Sequence, residues 1–249
     1  MLELKGLSLI LGGRRILNEV DLEITRGRVT VLLGKNGSGK TSLLRCINRE
    51  RPYLGDILLD GVNITLLSPK KRARRVAYLP QLLPQAEITV GELALLGRMP
   101  HLGPLAIAGE ADRAAAHAAL ATVGLLDRAD ERLTALSGGE LRRAYLAMTL
   151  AQEAPLLLLD EPTAHLDTDA KRELLSLISR LVREEGRTAL LVLHDLNDAI
   201  RIADDIALLE AGKLVFFGAR DAFLAEGLPE RAFGLAPHRT EDDPLPFYY

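Results

Sequence analysis

The sequence predicts an α/β fold on a largely parallel sheet, and three observations carry that prediction. Residues 156–159 and 189–193 are short, continuously apolar runs, and 29–33 is apolar apart from Thr30. Each leads into a stretch of helical character, and strands of this kind belong to parallel sheets covered on both faces. Residues 2–11 and 20–25 instead alternate roughly apolar with polar, the pattern of half-exposed antiparallel strands.

In chain order, the run at 29–33 ends at a glycine and precedes a helix over 40–48, so strand, glycine-rich loop and helix follow one another. Residues 55–59 and 75–79 are further strands. Between them, Ser68-Pro69 has the form of a helix N-cap followed by proline at the first helical position. A helical middle comes next, over 89–97, the alanine-rich 110–123, and 138–153, where Leu141, Tyr145 and Met148 share one face. Leu174, Ile178, Leu181 and Val182 form the stripe of the helix after the strand at 156–159. The strand at 189–193 precedes a short helix over 197–203. Residues 206–209 and 213–217, joined through Ala211-Gly212, read as a closing hairpin. From Arg239 onward an irregular tail is expected. The whole reads as one domain over 1–249, with a core of about 1–85 and 155–238 and an inserted helical subdomain of about 86–154.

Hydrophobic residues make up 48% of the 249 positions and charged residues 26%, which is enough apolar material for a full core. A net charge of -3 gives no basic field to attract nucleic acid, and none is expected as a partner. Cys46 is the single cysteine, so an internal disulfide is excluded and a reducing compartment fits. The start, Met1-Leu2-Glu3-Leu4-Lys5, lacks the pattern of a signal peptide. No apolar run approaches the ~20 residues of a membrane helix, so work at a membrane requires another chain to cross it.

Three motifs carry chemistry. Gly34-Lys35-Asn36-Gly37-Ser38-Gly39-Lys40-Thr41 matches the phosphate-binding loop G-x-x-x-x-G-K-[ST]. Its glycines let backbone N–H groups wrap phosphate oxygens at a helix N-terminus. Lys40 would reach the β- and γ-phosphates of a nucleotide, and Thr41 would ligate Mg²⁺. Second, the apolar run at 156–159 delivers Asp160-Glu161-Pro162 at its C-terminal end, where ligands sit in open α/β sheets. Asp160 would hold the Mg²⁺ shell, and Glu161 would orient or deprotonate the attacking water. Alone, this could equally be a solvated acidic turn. Third, Ser137-Gly138-Gly139-Glu140 precedes a helix. It suits a second phosphate contact, although a capped helix alone would account for it.

The order of these motifs resembles the ABC ATPase family. Leu-Ser-Gly-Gly-Glu at 136–140 lies between the phosphate loop and Leu-Leu-Asp-Glu-Pro at 158–162. Gln81, in Tyr78-Leu79-Pro80-Gln81, matches the family's Q-loop. Ala164-His165-Leu166-Asp167 matches its D-loop, and His194 its switch histidine. The resemblance covers about residues 2–218. It implies a P-loop NTPase fold with a mixed central sheet, an N-terminal antiparallel β subdomain and an inserted helical subdomain. It also implies ATP with Mg²⁺ held by Thr41, Gln81 and Asp160, and catalysis by Glu161, His194 and Gln81. Two copies would pack head to tail, each ATP lying between one copy's phosphate loop and the partner's Ser137, Gly138, Gly139 and Asp167.

The family usually stacks an aromatic on adenine just before the first Gly-Gly. Here Ile10-Leu11 precede Gly12-Gly13, so Leu11 would cover the base without π-stacking, unless an aromatic such as Tyr53 or one from the partner chain supplies it. The stretch Leu95-Leu96-Gly97-Arg98-Met99-Pro100-His101, the Ala164-His165-Leu166-Asp167 loop and Glu140 resemble the branch importing iron-siderophores, haem and cobalamin. That branch implies separate permease subunits, a solute-binding protein and a place at the cytoplasmic face of the membrane. Other transporter branches, and non-transport members acting on nucleic acid or ribosomes, are the alternatives. The latter carry a long coiled-coil insertion or two ATPase units in one chain.

Overall fold

The computed structural model describes residues 1–103, 106–164, 166–238 and 245–249. In chain order it contains β1 (Leu2–Leu11), β2 (Arg14–Ile24), β3 (Val29–Leu33), α1 (Lys40–Ile47), β4 (Leu54–Leu59) and β5 (Val62–Asn63). Next come α2 (Pro69–Ala73), β6 (Val76–Leu79), α3 (Val90–Leu96), α4 (Glu110–Thr122), α5 (Gly138–Ala151), β7 (Leu156–Asp160) and α6 (Thr168–Glu185). The chain closes with β8 (Thr188–Val192), α7 (Leu196–Ile202), β9 (Asp205–Glu210), β10 (Lys213–Ala219), α8 (Arg220–Ala225), α9 (Leu228–Phe233), β11 (Pro237–His238) and β12 (Phe247–Tyr248). These elements group into two compact units, one of Met1–Leu66 with Ile178–Tyr249 and one of Leu67–Leu177, so the boundary cuts α6.

The first unit holds two sheets. An antiparallel sheet runs β2-β1-β4-β5. Its register sets Leu2 opposite Ile24 and Leu59, and Leu4 opposite Leu22 and Ile57. All six are buried, so the apolar half of the alternation faces the core. Strand β2 begins at Arg14, six positions before the predicted start. Gly12 and Gly13, at φ 55 and 76, turn the chain straight back. Arg14, Arg15, Asn18 and Glu19 then interrupt the apolar alternation that would have revealed the strand.

In the same unit the strand order is β10-β9-β3-β8. β3 is parallel to β8 and β9, while β10 returns antiparallel to β9, so the sheet is mixed. Every residue of β3 and β8 is buried, as continuously apolar strands require. The C-terminal region departs from expectation. α8 and α9 have six residues each and were unforeseen, being too short to show periodicity. The tail is not irregular throughout. β12 pairs with β11, and the Asn197 side chain on α7 donates to the Tyr248 carbonyl at 3.0 Å and accepts its N–H at 2.8 Å. The first part of the expected tail, 239–244, lies outside the described residues.

In the second unit, β6 and β7 run parallel, with Val76 beside Leu156 and Leu79 beside Leu159. Ser68 caps α2, accepting the Lys71 N–H at 3.3 Å, with Pro69 next, as predicted. Gly97 ends α3 where a Cβ would stand 2.2 Å from the Met148 carbonyl oxygen of α5. Arg98, buried beside it, donates to the Ala151 carbonyl at 2.7 Å, to Glu153 at 2.6 Å and to Asp112 at 3.2 Å. The Leu95-to-His101 stretch is therefore a packing junction among three helices. Among the described residues no helix is long and apolar enough to cross a membrane.

Cys46, on α1, is fully buried, and that burial pushes its thiol up to about 12. Labelling by a thiol reagent proceeds through the thiolate. Native protein at pH 8 should therefore react at least about a hundredfold more slowly than protein unfolded in guanidinium. Equal rates would show that α1 opens readily.

Candidate functional site

In the first unit, β3 runs into a loop that only glycine can follow. Gly34 sits at φ 147, and a Cβ there would lie 2.2 Å from the Leu209 carbonyl oxygen and 2.7 Å from Ser38 Oγ. Gly39, at φ 108, stands at the start of α1 and contributes no side-chain cap, so the helix start depends on another acceptor for its N–H groups. The Ser38 carbonyl accepts the Gly212 N–H at 3.1 Å, which pins the loop to the β9–β10 turn. Lys40 is 6% exposed, and its Nζ donates to the Gly34 carbonyl at 2.7 Å and the Lys35 carbonyl at 3.2 Å. Ser38 Oγ is buried with no hydrogen-bond partner among the described residues. A glycine cradle, a buried ammonium and an orphaned hydroxyl together fit a phosphate group. Thr41 follows, half-buried, in the first turn of α1.

His194 belongs to this unit, exposed just past β8. Asp195 holds the turn that follows, its Oδ1 accepting the N–H groups of Asn197 at 2.8 Å and Asp198 at 3.2 Å. Leu11, half-buried, ends β1 opposite Arg14.

In the second unit, β7 ends at Asp160, which is fully buried and accepts a hydrogen bond from the Tyr78 hydroxyl at 3.3 Å. Glu161 has φ 51, a left-handed conformation that costs energy for a residue with a side chain. Its carbonyl accepts Arg142 Nη1 at 2.6 Å and the Ala164 N–H at 3.1 Å. Its carboxylate accepts Gln81 Nε2 at 2.8 Å, and Arg142 Nη2 reaches the Gln81 carbonyl at 2.9 Å. Gln81, Glu161 and Arg142 thus form a closed triangle, with Asp160 next in sequence. Arg142 is 5% exposed. Burial lowers its pKa, although the negative charges of Glu161 and Asp160 act to raise it.

Ser137 caps α5 in a reciprocal box with Glu140. Gly138 and Gly139 are the first helical residues, and nothing lies within 4 Å of a Cβ at Gly138. Asp167 caps α6, accepting the Ala170 N–H at 2.9 Å. His165, between them in sequence, lies outside the described residues.

The phosphate loop and His194 therefore share one unit. Gln81, Asp160, Glu161, Ser137, Gly138, Gly139 and Asp167 share the other. Arg142 and Tyr78 were not singled out from the sequence. Arg142 had left a signal, standing three positions before Tyr145 and four before Leu146 on the face that α5 buries, where a lone charge implies a buried partner. Replacing Arg142 by Leu removes a donor from two carbonyls and loosens the hold on a strained Glu161, whose carbonyl keeps only the Ala164 N–H among the bonds described. We expect a loss of roughly 2–3 kcal/mol in urea unfolding, with Arg142→Lys losing less. A neutral Arg142→Leu would show that the triangle holds no strain.

The sequence profile of the ABC transporter family matches residues 17–164. The petrobactin import ATP-binding protein FpuD of Bacillus anthracis is 41% identical over 247 residues, covering 98% of this chain and 90% of that protein. The ferric enterobactin transport ATP-binding protein FepC of Escherichia coli K12 is 40% identical over 236 residues, covering 93% and 87%. Among solved structures, the dimeric ATP-binding cassette MJ0796 in a post-hydrolysis state with ADP and Pi aligns at a TM-score of 0.79. It is 27% identical and covers 88% of this chain and 99% of that one. With a phosphate loop, an acidic strand end and a Ser-Gly-Gly helix start in this order, the chain belongs to the ABC transporter family, as its ATP-binding and ATP-hydrolysing subunit.

Proposed function

We propose that this chain powers the import of a metal chelate, of the iron-siderophore, haem or cobalamin class, through a permease at the cytoplasmic face of the membrane. The observation that carries the chemistry is the glycine cradle around Lys40, with its orphaned Ser38 hydroxyl. The cargo class follows the relatives, whose names specify petrobactin and ferric enterobactin. Two copies act as a homodimer on the permease subunits, and a solute-binding protein supplies the cargo. Residues 86–154 form the helical subdomain of a single ATPase domain.

Each residue has a role on this reading. The N–H groups of Gly34, Lys35, Asn36, Gly37 and Gly39 and the hydroxyl of Ser38 serve the phosphate oxygens, and Lys40 neutralises the β- and γ-phosphates. Thr41, Asp160 and Gln81 would hold Mg²⁺ through their oxygen atoms, and the ion would supply neutralisation of phosphate charge. Glu161 aligns a water molecule and accepts its proton as the bond to the γ-phosphorus forms and the bridge to the β-phosphate breaks. Gln81 donates to the Glu161 carboxylate at 2.8 Å, so a Mg²⁺ ligand and the catalytic base are joined by one hydrogen bond. His194 contacts the transferred phosphoryl group. Ser137, Gly138, Gly139 and Asp167 complete the partner's site.

Glu161→Gln keeps the shape but cannot take a proton. It should bind ATP while hydrolysing it at least about a hundredfold more slowly, and elute as a dimer with ATP but not with ADP. Lys40→Ala, lacking the phosphate countercharge, should give no ATP-dependent dimer in the same column. Wild-type turnover in either variant would overturn the assignment.

Base–aromatic stacking contributes roughly 1–3 kcal/mol per base, and Leu11 offers none. Phosphate and Mg²⁺ contacts are blind to the base, so kcat/KM for GTP should fall within about tenfold of that for ATP, a difference of ~1.4 kcal/mol. A preference for ATP above about a hundredfold would show that another group reads adenine.

A further inference from the structure

The start of α5 has one hydroxyl proton and two acceptors that can claim it. Ser137 Oγ donates to Glu140 Oε2 at 2.8 Å, and the Ser137 N–H donates to the same oxygen at 2.9 Å. The Ser137 hydroxyl in turn accepts the Glu140 N–H at 3.3 Å. Its single proton is therefore committed to a carboxylate on its own helix. A phosphate oxygen arriving there is also only an acceptor, and it meets the Glu140 charge one turn away. The carboxylate is itself engaged on its far side. Glu140 Oε1 accepts Arg128 Nη1. Arg128 is held in plane by Glu131, to which Nε and Nη2 donate at 2.9 and 2.6 Å. These bonds and charges draw the carboxyls of Glu131 and Glu140 below the usual carboxylate range and raise Arg128 further.

We infer that Arg128 is a positioning residue for ATP use, acting through Glu140. By occupying and neutralising that carboxylate, it lets the Ser137 hydroxyl exchange Glu140 for a phosphate oxygen. A carboxylate whose other oxygen already holds a guanidinium is a weaker competitor for a second donor, and its charge repels phosphate less. Without Arg128, Glu140 keeps the proton and faces the phosphate with its full charge. The inference rests on reading Ser137 as a phosphate contact.

A double-mutant cycle on the full chain tests it, with steady-state ATP hydrolysis and thermal melting measured for each variant. Arg128→Gln should raise the KM for ATP about tenfold and change kcat less than about threefold. Glu140→Gln, with a neutral and weaker acceptor, should lower KM below the wild-type value. In the Glu140→Gln background, Arg128→Gln should move KM less than about twofold. A purely structural Arg128, bracing the turn through Glu131, predicts the same KM defect in both backgrounds. That result, or an unchanged KM in Arg128→Gln alone, overturns the inference. Melting registers the lost Glu131 pair in both backgrounds and so separates folding defects from the KM coupling. Ser137→Arg serves as the control for the underlying reading. If it hydrolyses ATP as wild type does, the phosphate role of Ser137 falls and Arg128 with it. If it is inactive while the KM coupling is absent, only the inference about Arg128 falls.

Discussion

A loop that aims several backbone N–H groups at one anion leaves no room for side chains on its inner wall. That constraint organises the first unit. At Gly34 the nearest obstacle to a Cβ is a backbone carbonyl 2.2 Å away, and no side-chain rearrangement could remove it. At Gly39 the left-handed φ of 108 turns the chain into α1. A loop so constrained needs rigid supports. It has them in a fully buried β3 before it, a buried face of α1 after it, and the Ser38-to-Gly212 hydrogen bond at its side. Lys40 is held inside in part by two loop carbonyls, of Gly34 and Lys35, that accept from its ammonium.

The second unit solves a related problem with charge instead of glycine. Asp160 is buried at the end of an all-apolar strand, and Glu161 follows in a left-handed conformation. Each feature costs stability unless neighbours compensate. Arg142 supplies part of that compensation by holding the Glu161 and Gln81 carbonyls together. Its two hydrogen bonds go to main-chain oxygens, while the Glu161 carboxylate accepts from Gln81. The backbone is therefore fixed while the side chain that would meet water keeps an exchangeable partner.

What the sequence reveals follows from the range of each interaction. The phosphate loop, the acidic strand end and the Ser137 helix start are legible because each is local, with its geometry dictated by adjacent residues. Parallel strands such as β3 and β8 are legible because burial on both faces forces a continuous apolar run. β2 is legible only from residue 20, since Arg14 and Arg15 face solvent and hide the alternation. α8, α9, β11 and β12 stay hidden because six-residue helices and two-residue strands carry no period, and Asn197 holds Tyr248 from 51 positions away. Arg142 is invisible for the same reason. Its partners, Gln81 and Glu161, lie 61 and 19 positions distant, and only its place on a buried helix face betrays it.

The two helix starts that could meet phosphate are built differently. α1 has glycine at its N-cap and no side chain to satisfy its first turn. α5 has a serine that caps it and a glutamate that returns the bond. A helix start without its own cap gains most from an anion, because the anion supplies the missing acceptor and the favourable charge at once. A start that is already capped is stable by itself, and an anion there must displace an existing bond. The first arrangement suits a ligand held through much of a cycle. The second suits a contact that forms and breaks, since the displaced Glu140 stands ready to reclaim the serine. If both act on ATP, the strength of the capping box at α5 becomes a determinant of how readily the second contact forms.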